Sequence, residues 1–419
     1  MAAFFKNKLR KFNKMKSEIE EEDLMDLEGA EEPESLAGEQ KTFWLKFGRH
    51  YGTSRRVHLL MVAGLCLALI CALLFLYLHV GTDYFVLDDE KRTDINGTSY
   101  REFGDKLLKY SSDGVTCISG DHVLWNSTFS MQRPVLDLCK TATAVADMNG
   151  THVYVFSDSG QIGQFQTSLP IEKIRVAKQG VVAAVLNDGD VTWINIYDSQ
   201  GKEIAKNRTS LADSGYPLDI DISPDGMKVM VSYLCVTQGI MNTKICFYNF
   251  DSVGQSEVNN MVTSQTCENA VAPEVRFLGE ETAVAFLSNG FCVFTGKQIP
   301  ELKKKTEFDE EIMSVFSDEN NFGFVFKSDK EDHKYRVQLY DKGGKQIMKT
   351  YFDLDYKQVK LADGNLMFFN DKAFEIYNTG GRKKFSGAYD RAILDIIKLK
   401  GFRKYMILSR DYVSTIRLK

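Results

Sequence analysis

The sequence predicts an all-β domain, a β-propeller of eight blades with seven as the alternative count, preceded by one transmembrane helix and a cytoplasmic tail. Three observations carry this: a charge-free run at residues 57–80, a glycine turn that returns at the spacing of a propeller blade, and prolines that open apolar strands in phase with it. With 419 residues, 44% of them hydrophobic and 12% aromatic, the chain can build one large core plus appendages. The net charge of −5, with both signs intermixed, offers no basic field of the kind a nucleic-acid binder needs. Nucleic acid is therefore not expected as a partner.

Residues 1–56 read as the cytoplasmic tail. Lys6, Lys8, Arg10, Lys11, Lys14 and Lys16 are interleaved with Phe5, Leu9, Phe12 and Met15, whose spacing puts the apolar groups on one helical face. Such a segment lies in a membrane interface or is simply a solvated basic tail; both readings stand. From Glu18 to Glu39 there are eleven carboxylates and few large apolar groups, so this stretch is expected to be a disordered linker or docking tail.

Residues 57–80 contain no Asp, Glu, Lys or Arg. At about 1.5 Å per residue such a helix spans a hydrocarbon layer of about 30 Å with some tilt. Lys41, Lys46, Arg49, Arg55 and Arg56 precede the run, whereas Asp83, Asp88, Asp89 and Glu90 follow it, which places the N-terminus inside and the C-terminal domain outside. The run starts too late, is too long and lacks a small-x-small site for a cleaved signal peptide, so it is expected to stay as a lipid-embedded anchor. Cys66 and Cys71 follow Leu65 and Ile70 rather than small residues and read as packing residues, not lipid attachment sites.

Residues 81–104 form a connector, and residues 105–419 the propeller. Runs such as Lys228-Val229-Met230-Val231-Ser232-Tyr233 and Phe322-Gly323-Phe324-Val325-Phe326 alternate or stay apolar, with turn residues every 8–12 positions. A turn of apolar, apolar, aromatic, polar, x, x, Gly recurs at Val155–Gly160, Ile196–Gly201, Leu339–Gly344 and Ile376–Gly381, with looser copies ending at Gly254 and Gly296. These glycines are 41, 53, 42, 48 and 37 residues apart, the length of a four-stranded blade. Pro134, Pro170, Pro217 and Pro273 open strands in the same phase, since the first residue of a strand need not donate to the ladder. Equivalent strands start near Glu311, Asp355 and Arg391, and a short unit at Lys106–Phe129 brings the count to eight. A β-sandwich with coincidental spacing is the alternative fold.

The last unit supplies only three strands, at Ile393–Leu399, Tyr405–Ser409 and Val413–Leu418. An open propeller edge leaves unpaired backbone groups, so a strand from residues 84–104, beginning with the apolar Tyr84-Phe85-Val86-Leu87, is expected to close the ring.

The stretch Ile222-Ser223-Pro224-Asp225-Gly226-Met227-Lys228-Val229 resembles the strand-turn-strand of many propellers, and Trp125 after Val123-Leu124 is similar to the repeat of quinoprotein-like propellers. Over nearly its full length the chain resembles an uncharacterised family of single-pass membrane proteins of Gram-positive anaerobic bacteria within the quinoprotein-like and WD-like propeller superfamily. Leu169-Pro170-Ile171-Glu172-Lys173-Ile174-Arg175-Val176-Ala177 and Ser214-Gly215-Tyr216-Pro217-Leu218-Asp219-Ile220 carry that resemblance. It implies a location and a fold, and no activity.

No catalytic, cofactor-binding or metal-ligating residue is assigned, and no cofactor is expected. The domain after the anchor has only Trp125 and Trp193 and no adjacent cysteines, which argues against quinoprotein dehydrogenase chemistry. It has no Trp-Asp dipeptide, no CxxC or HExxH spacing and no Gly-x-Ser-x-Gly elbow. Of His50, His58, His79, His122, His152 and His333, three lie in it, scattered. Asp219-Ile220-Asp221 and Asp353-Leu354-Asp355 could hold a cation or form the solvated face of a strand. Cys117, Cys139, Cys235, Cys246, Cys267 and Cys292 could form disulfides, with Cys235 and Cys246 flanking a hairpin turn, or remain buried thiols. Asn96, Asn126, Asn149 and Asn207 match a glycosylation acceptor pattern that matters only in a eukaryotic host.

The expected function is a protein-binding or scaffolding module displayed at the cell envelope, recruiting an envelope protein or cell-wall component. An envelope-acting enzyme with its site at the propeller channel, or an extracytoplasmic ligand sensor, are the alternatives.

Overall fold

The computed structural model describes residues 61–70, 80–92, 97–119, 122–189, 191–210 and 214–419. The chain divides into two compact units, Met1–His79 and Val80–Lys419. In the first, residues 61–70 are helical and expose Cys66. The rest of the expected span except Val80, the whole expected cytoplasmic tail, and Cys71 lie outside the described residues. Among the described residues no helix is long and apolar enough to cross a membrane.

The second unit is a ring of eight four-stranded antiparallel sheets. Blade 1 is Ser99–Phe103, Lys106–Ser111, Gly114–Ser119 and His122–Thr128. The inner strands of blades 2 to 8 are Pro134–Cys139, Ile171–Val176, Tyr216–Ile222, Glu274–Phe277, Ile312–Ser317, Gln358–Ala362 and Ile393–Lys398. Four of them begin at or within two residues of the prolines that marked them in the sequence. The first blade starts at Ser99, ahead of residue 105, because Ser99–Phe103 folds back on Lys106–Ser111 through Gly104, which has a φ of +62°. The polar sequence Ser-Tyr-Arg-Glu-Phe hides that strand: it lines the channel, where charged side chains keep water.

The recurring glycine turn joins the third strand of a blade to its outer strand. In blades 3, 6 and 7 a β-bulge at Tyr197, Tyr340 and Tyr377 precedes it. Asp198, Asp341 or Asn378 then accepts two backbone N–H bonds across the turn through its Oδ1, each between 2.8 and 3.1 Å. Gly201 follows at φ +85°, a conformation in which a Cβ would strain the backbone.

Middle strands are buried on both faces, which is why they read as continuous apolar runs. Asn365–Phe369 is buried at all five positions. Between blades 5 and 6, Phe286, Phe291, Phe322, Phe324 and Tyr340 pack with centroids 4.9–6.1 Å apart, in mostly tilted or edge-on pairs. Each such ring contributes about 1.5–3 kcal/mol by burial alone.

The ring closes with a strand from the other end of the domain. Tyr84–Lys91 is the outer strand of blade 8, antiparallel to Tyr412–Leu418 from Tyr84↔Leu418 to Lys91↔Tyr412. The Asp89 carboxylate takes both guanidinium nitrogens of Arg391, at 2.6 and 2.8 Å, and the Ser414 hydroxyl at 2.6 Å. That clamp holds the Asp89 carboxyl below its ordinary range. Just before it, Gly81 donates to the Lys384 carbonyl and accepts from the Ser386 N–H of blade 7, both at 3.0 Å.

Candidate functional site

Two features of the propeller are candidate sites: the central channel and a ribbon that projects from blade 4. The channel is lined by the inner strands. Bulges at Ile171/Lys173, Pro217/Asp219, Ile312/Ser314 and Ile393/Asp395 shift their register just where polar side chains enter the channel.

On one side of the channel the carboxylates staple one blade to the next. Asp137 of blade 2 accepts the N–H of Val176 in blade 3 at 2.7 Å, and burial pushes its carboxyl above the ordinary range. Asp219 of blade 4 accepts Lys173 Nζ at 2.7 Å and Arg175 Nη2 at 3.1 Å on Oδ1. Its Oδ2 takes Arg276 Nη1 at 3.1 Å and the Val275 N–H at 3.0 Å. Asp221 accepts the Phe277 N–H at 2.6 Å, and burial, opposed by Arg276 and Arg175, pushes its carboxyl up to about 7. The Asp219-Ile220-Asp221 pair is therefore neither a solvated face nor an open cation site: Asp219 is only 3% exposed, and protein donors occupy both residues.

The other side encloses a cavity of about 510 Å³ between blades 1, 2 and 5 to 8, with Glu102, Arg276, Lys360 and Lys398 on its walls. Lys360 pairs with Asp395, and Lys398 donates to the carbonyls of Leu399 and Gly401. Arg276 sits between Asp219 and Glu274, at 3.1 Å from each. Burial and the nearby Asp363 push the Glu102 carboxyl up to about 7. The cations here are held by the chain's own acceptors, which organises the cavity but leaves little free charge for a substrate.

Asp353 and Asp355 are likewise engaged on the surface. Asp353 accepts the Lys334 N–H at 3.0 Å and faces His333 Nδ1 at 3.1 Å, and Asp355 pairs with Lys334 Nζ at 2.7 Å. Among the described residues no group of three or more His, Cys, Asp or Glu is placed to hold a metal ion.

The ribbon comes from the two ten-residue strands of blade 4, Lys228–Thr237 and Ile240–Asn249. Their ladder runs to Thr237↔Ile240, closed by Gln238 and Gly239 at φ 53° and 79°, the two-residue turn that matches strand twist. The flanking strands stop earlier, at Tyr216↔Leu234 and Thr243↔Cys267. Three rungs from Cys235↔Asn242 onward therefore project about 10 Å as a two-stranded ribbon. Residues 234–243 carry no charge, and Val236, Ile240 and Met241 are 64%, 48% and 55% exposed. The corresponding turns of blades 1, 5 and 8 are two polar residues, Ser112-Asp113, Ser288-Asn289 and Arg410-Asp411, with no paired extension beyond the flanking strands.

This register also separates Cys235 from Cys246. Cys235 faces Asn242 and Cys246 faces Val231, so the two do not form the cross-strand pair their flanking positions suggested; both are free thiols. Asp137, Arg175, Arg276, Glu102, Lys360 and Lys398 escaped the sequence reading, since an isolated charged residue in a short strand carries no signal of facing a channel.

Residues 77–418 match the model of a family of unknown function, DUF5711. No curated protein matches the chain. Among solved structures, BamB from Moraxella catarrhalis aligns with 80% of this chain and 100% of its own, at 9% identity and a TM-score of 0.50. A eukaryotic initiation factor aligns over 81% of this chain and 88% of its own, at 10% identity and a TM-score of 0.48. The WD40 domain of Neurospora crassa Pan2 aligns over 81% and 97%, at 8% identity and 0.44. At these identities the likeness concerns the fold alone.

Proposed function

The chain belongs to the DUF5711 family, whose function is unknown, and we propose that it is a membrane-anchored, extracytoplasmic propeller that binds a protein partner at the cell envelope. The observation that carries the binding role is the uncharged ribbon of blade 4. Natural sheet edges are guarded with charges, prolines or cover; residues 235–242 contain no charge and no proline, and among the described residues Val236, Ile240 and Met241 stay exposed. Such an edge suits an extended apolar segment of another protein, which would add a strand and seat its side chains against Val236 and Met241. The ribbon leaves the end of the blade where third strands begin. The chain enters the domain at Val80, and Tyr84 pairs with Leu418 where a third strand finishes, so ribbon and entry point lie on opposite faces.

A photocrosslinking residue placed at Val236 in intact cells, against one at Lys342 on the opposite face, tests the site. A protein adduct specific to position 236, lost when Met241→Lys is added, supports the reading; equal labelling from both positions refutes it. The anchor is supported by the charge-free run 57–80 and its flanking charges. Protease added to intact cells should digest the chain beyond Asp83 and spare residues 18–39, and the reverse pattern would overturn the orientation.

The channel offers a second reading, an enzyme acting on envelope carbohydrate or peptide. It is favoured by the raised carboxyl of Glu102 in the 510 Å³ cavity. Turnover of such a substrate that Glu102→Gln abolishes would establish it in place of scaffolding.

A further inference from the structure

We propose that Cys267 and Cys292 are a disulfide-forming pair that covalently ties blade 4 to blade 5 at the root of the projecting ribbon. Cys267 ends the outer strand Met261–Cys267 of blade 4, and Cys292 sits in the third strand Gly290–Thr295 of blade 5. Their sulfurs lie 3.8 Å apart, the one sulfur–sulfur contact among the described residues. Both are buried in the core shared by the two blades, with Met230, Phe247 and Phe294. A disulfide bond of about 2.05 Å requires the two sulfurs to close by under about 2 Å.

Either sulfur can donate in this contact; with Cys292 as the donor, the hydrogen bond favours the thiolate of Cys267, and Lys305, paired with Cys292 across the ladder, adds positive charge, so the Cys267 thiol loses its proton more readily than usual. The same contact makes Cys292 hold its proton more strongly. With a low-molecular-weight disulfide such as oxidised glutathione, the Cys267 thiolate attacks one sulfur and expels a thiolate. Cys292 then gives up its proton, attacks the Cys267 sulfur and expels the second thiolate. Two protein thiols are oxidised, one small disulfide is reduced to two thiols, and the two protons end on those products. Because both sulfurs are buried, exchange takes place while the blade 4–5 seam is open, during folding or local opening.

The position gives the bond a consequence. Cys267 is paired with Thr243, the first residue of its strand below the ribbon. The Thr243 hydroxyl donates to the Ala270 carbonyl at 2.9 Å and accepts the Ala272 N–H at 3.0 Å. A covalent link here fixes the ribbon's root against blade 5. The inference stands on the sulfur geometry and holds whether or not the ribbon docks a protein.

The full-length protein is reduced, then exposed to oxidised glutathione both in the folded state and during refolding. Remaining thiols are alkylated in denaturant without reductant, and the peptides are mapped by mass spectrometry. The expected product is a linked peptide pair carrying Cys267 and Cys292, two hydrogens lighter than the free thiols and separated by reductant. The linked protein should also melt higher by on the order of 5 °C. Alkylation of both cysteines after both treatments, or their linkage only to other cysteines, overturns the proposal. The mapping is done on the unaltered chain, so it does not depend on a variant that folds.

Discussion

Replacing Asp219 with asparagine should destabilise the propeller by about 2–3 kcal/mol. The side chain is 3% exposed and binds Lys173, Arg175, Arg276 and the Val275 N–H with its two oxygens. Asparagine keeps the volume and one acceptor, but its NH2 must then face either the cations or the Val275 N–H. Removing one partner of a fully buried charge cluster costs about 3–5 kcal/mol. Lys173 and Arg276 are 33% and 31% exposed and regain hydration through the channel, which brings the cost to the lower figure. Urea unfolding followed by circular dichroism and by Trp125 and Trp193 fluorescence measures it, with an unchanged slope showing that the unfolded state is not altered. Asp353→Asn is the control, because Asp353 is exposed on the rim and should cost no more than about 0.5 kcal/mol. Equal shifts for the two variants would refute the idea that channel carboxylates hold blades 3, 4 and 5 together.

Burial, with Asp363 nearby, pushes the Glu102 carboxyl up to about 7 from its ordinary 4.5, so the folded state binds its proton more tightly. The stability it contributes is full below the unfolded value and is lost as pH rises to about 7. Glu102→Gln should flatten that decline and gain about 1–2 kcal/mol at pH 8, after allowance for screening by channel water. Parallel melting curves from pH 4 to 8 would count against it. A chain that begins at Gly97 should melt below one that begins at Val80, because it lacks the strand that pairs with Tyr412–Leu418 and the Asp89–Arg391 clamp. Equal melting temperatures would mean the seam holds without that strand. A Cβ at Gly163 would stand 1.7 Å from the Ser199 carbonyl oxygen, so Gly163→Ala should cost at least about 3 kcal/mol through backbone displacement, and an unchanged urea midpoint would contradict that packing.

The sequence by itself determined the all-β class and pointed to eight blades with seven left open, because both readings rest on local chemistry. The turn at Asp198-Ser199-Gln200-Gly201 is made by a side chain bonding its own neighbours, and Pro134 and Pro217 belong at strand beginnings whatever lies beside them. The missing fourth strand was also legible, since a ring cannot leave an edge open and the apolar Tyr84-Phe85-Val86-Leu87 within residues 84–104 was unassigned. Only the tertiary structure decided what the polar residues do. Asp219 enters the channel because a bulge after Pro217 shifts the register, and a period-two pattern cannot show such a shift. Glu102 and Lys398 meet in one cavity although nearly the whole ring separates them in sequence. The hairpin through Gly239 was visible in the residues, but its projection was not. That depends on where the flanking strands stop pairing, at Tyr216 and Cys267, which is a property of the assembled sheet and of no single strand in it.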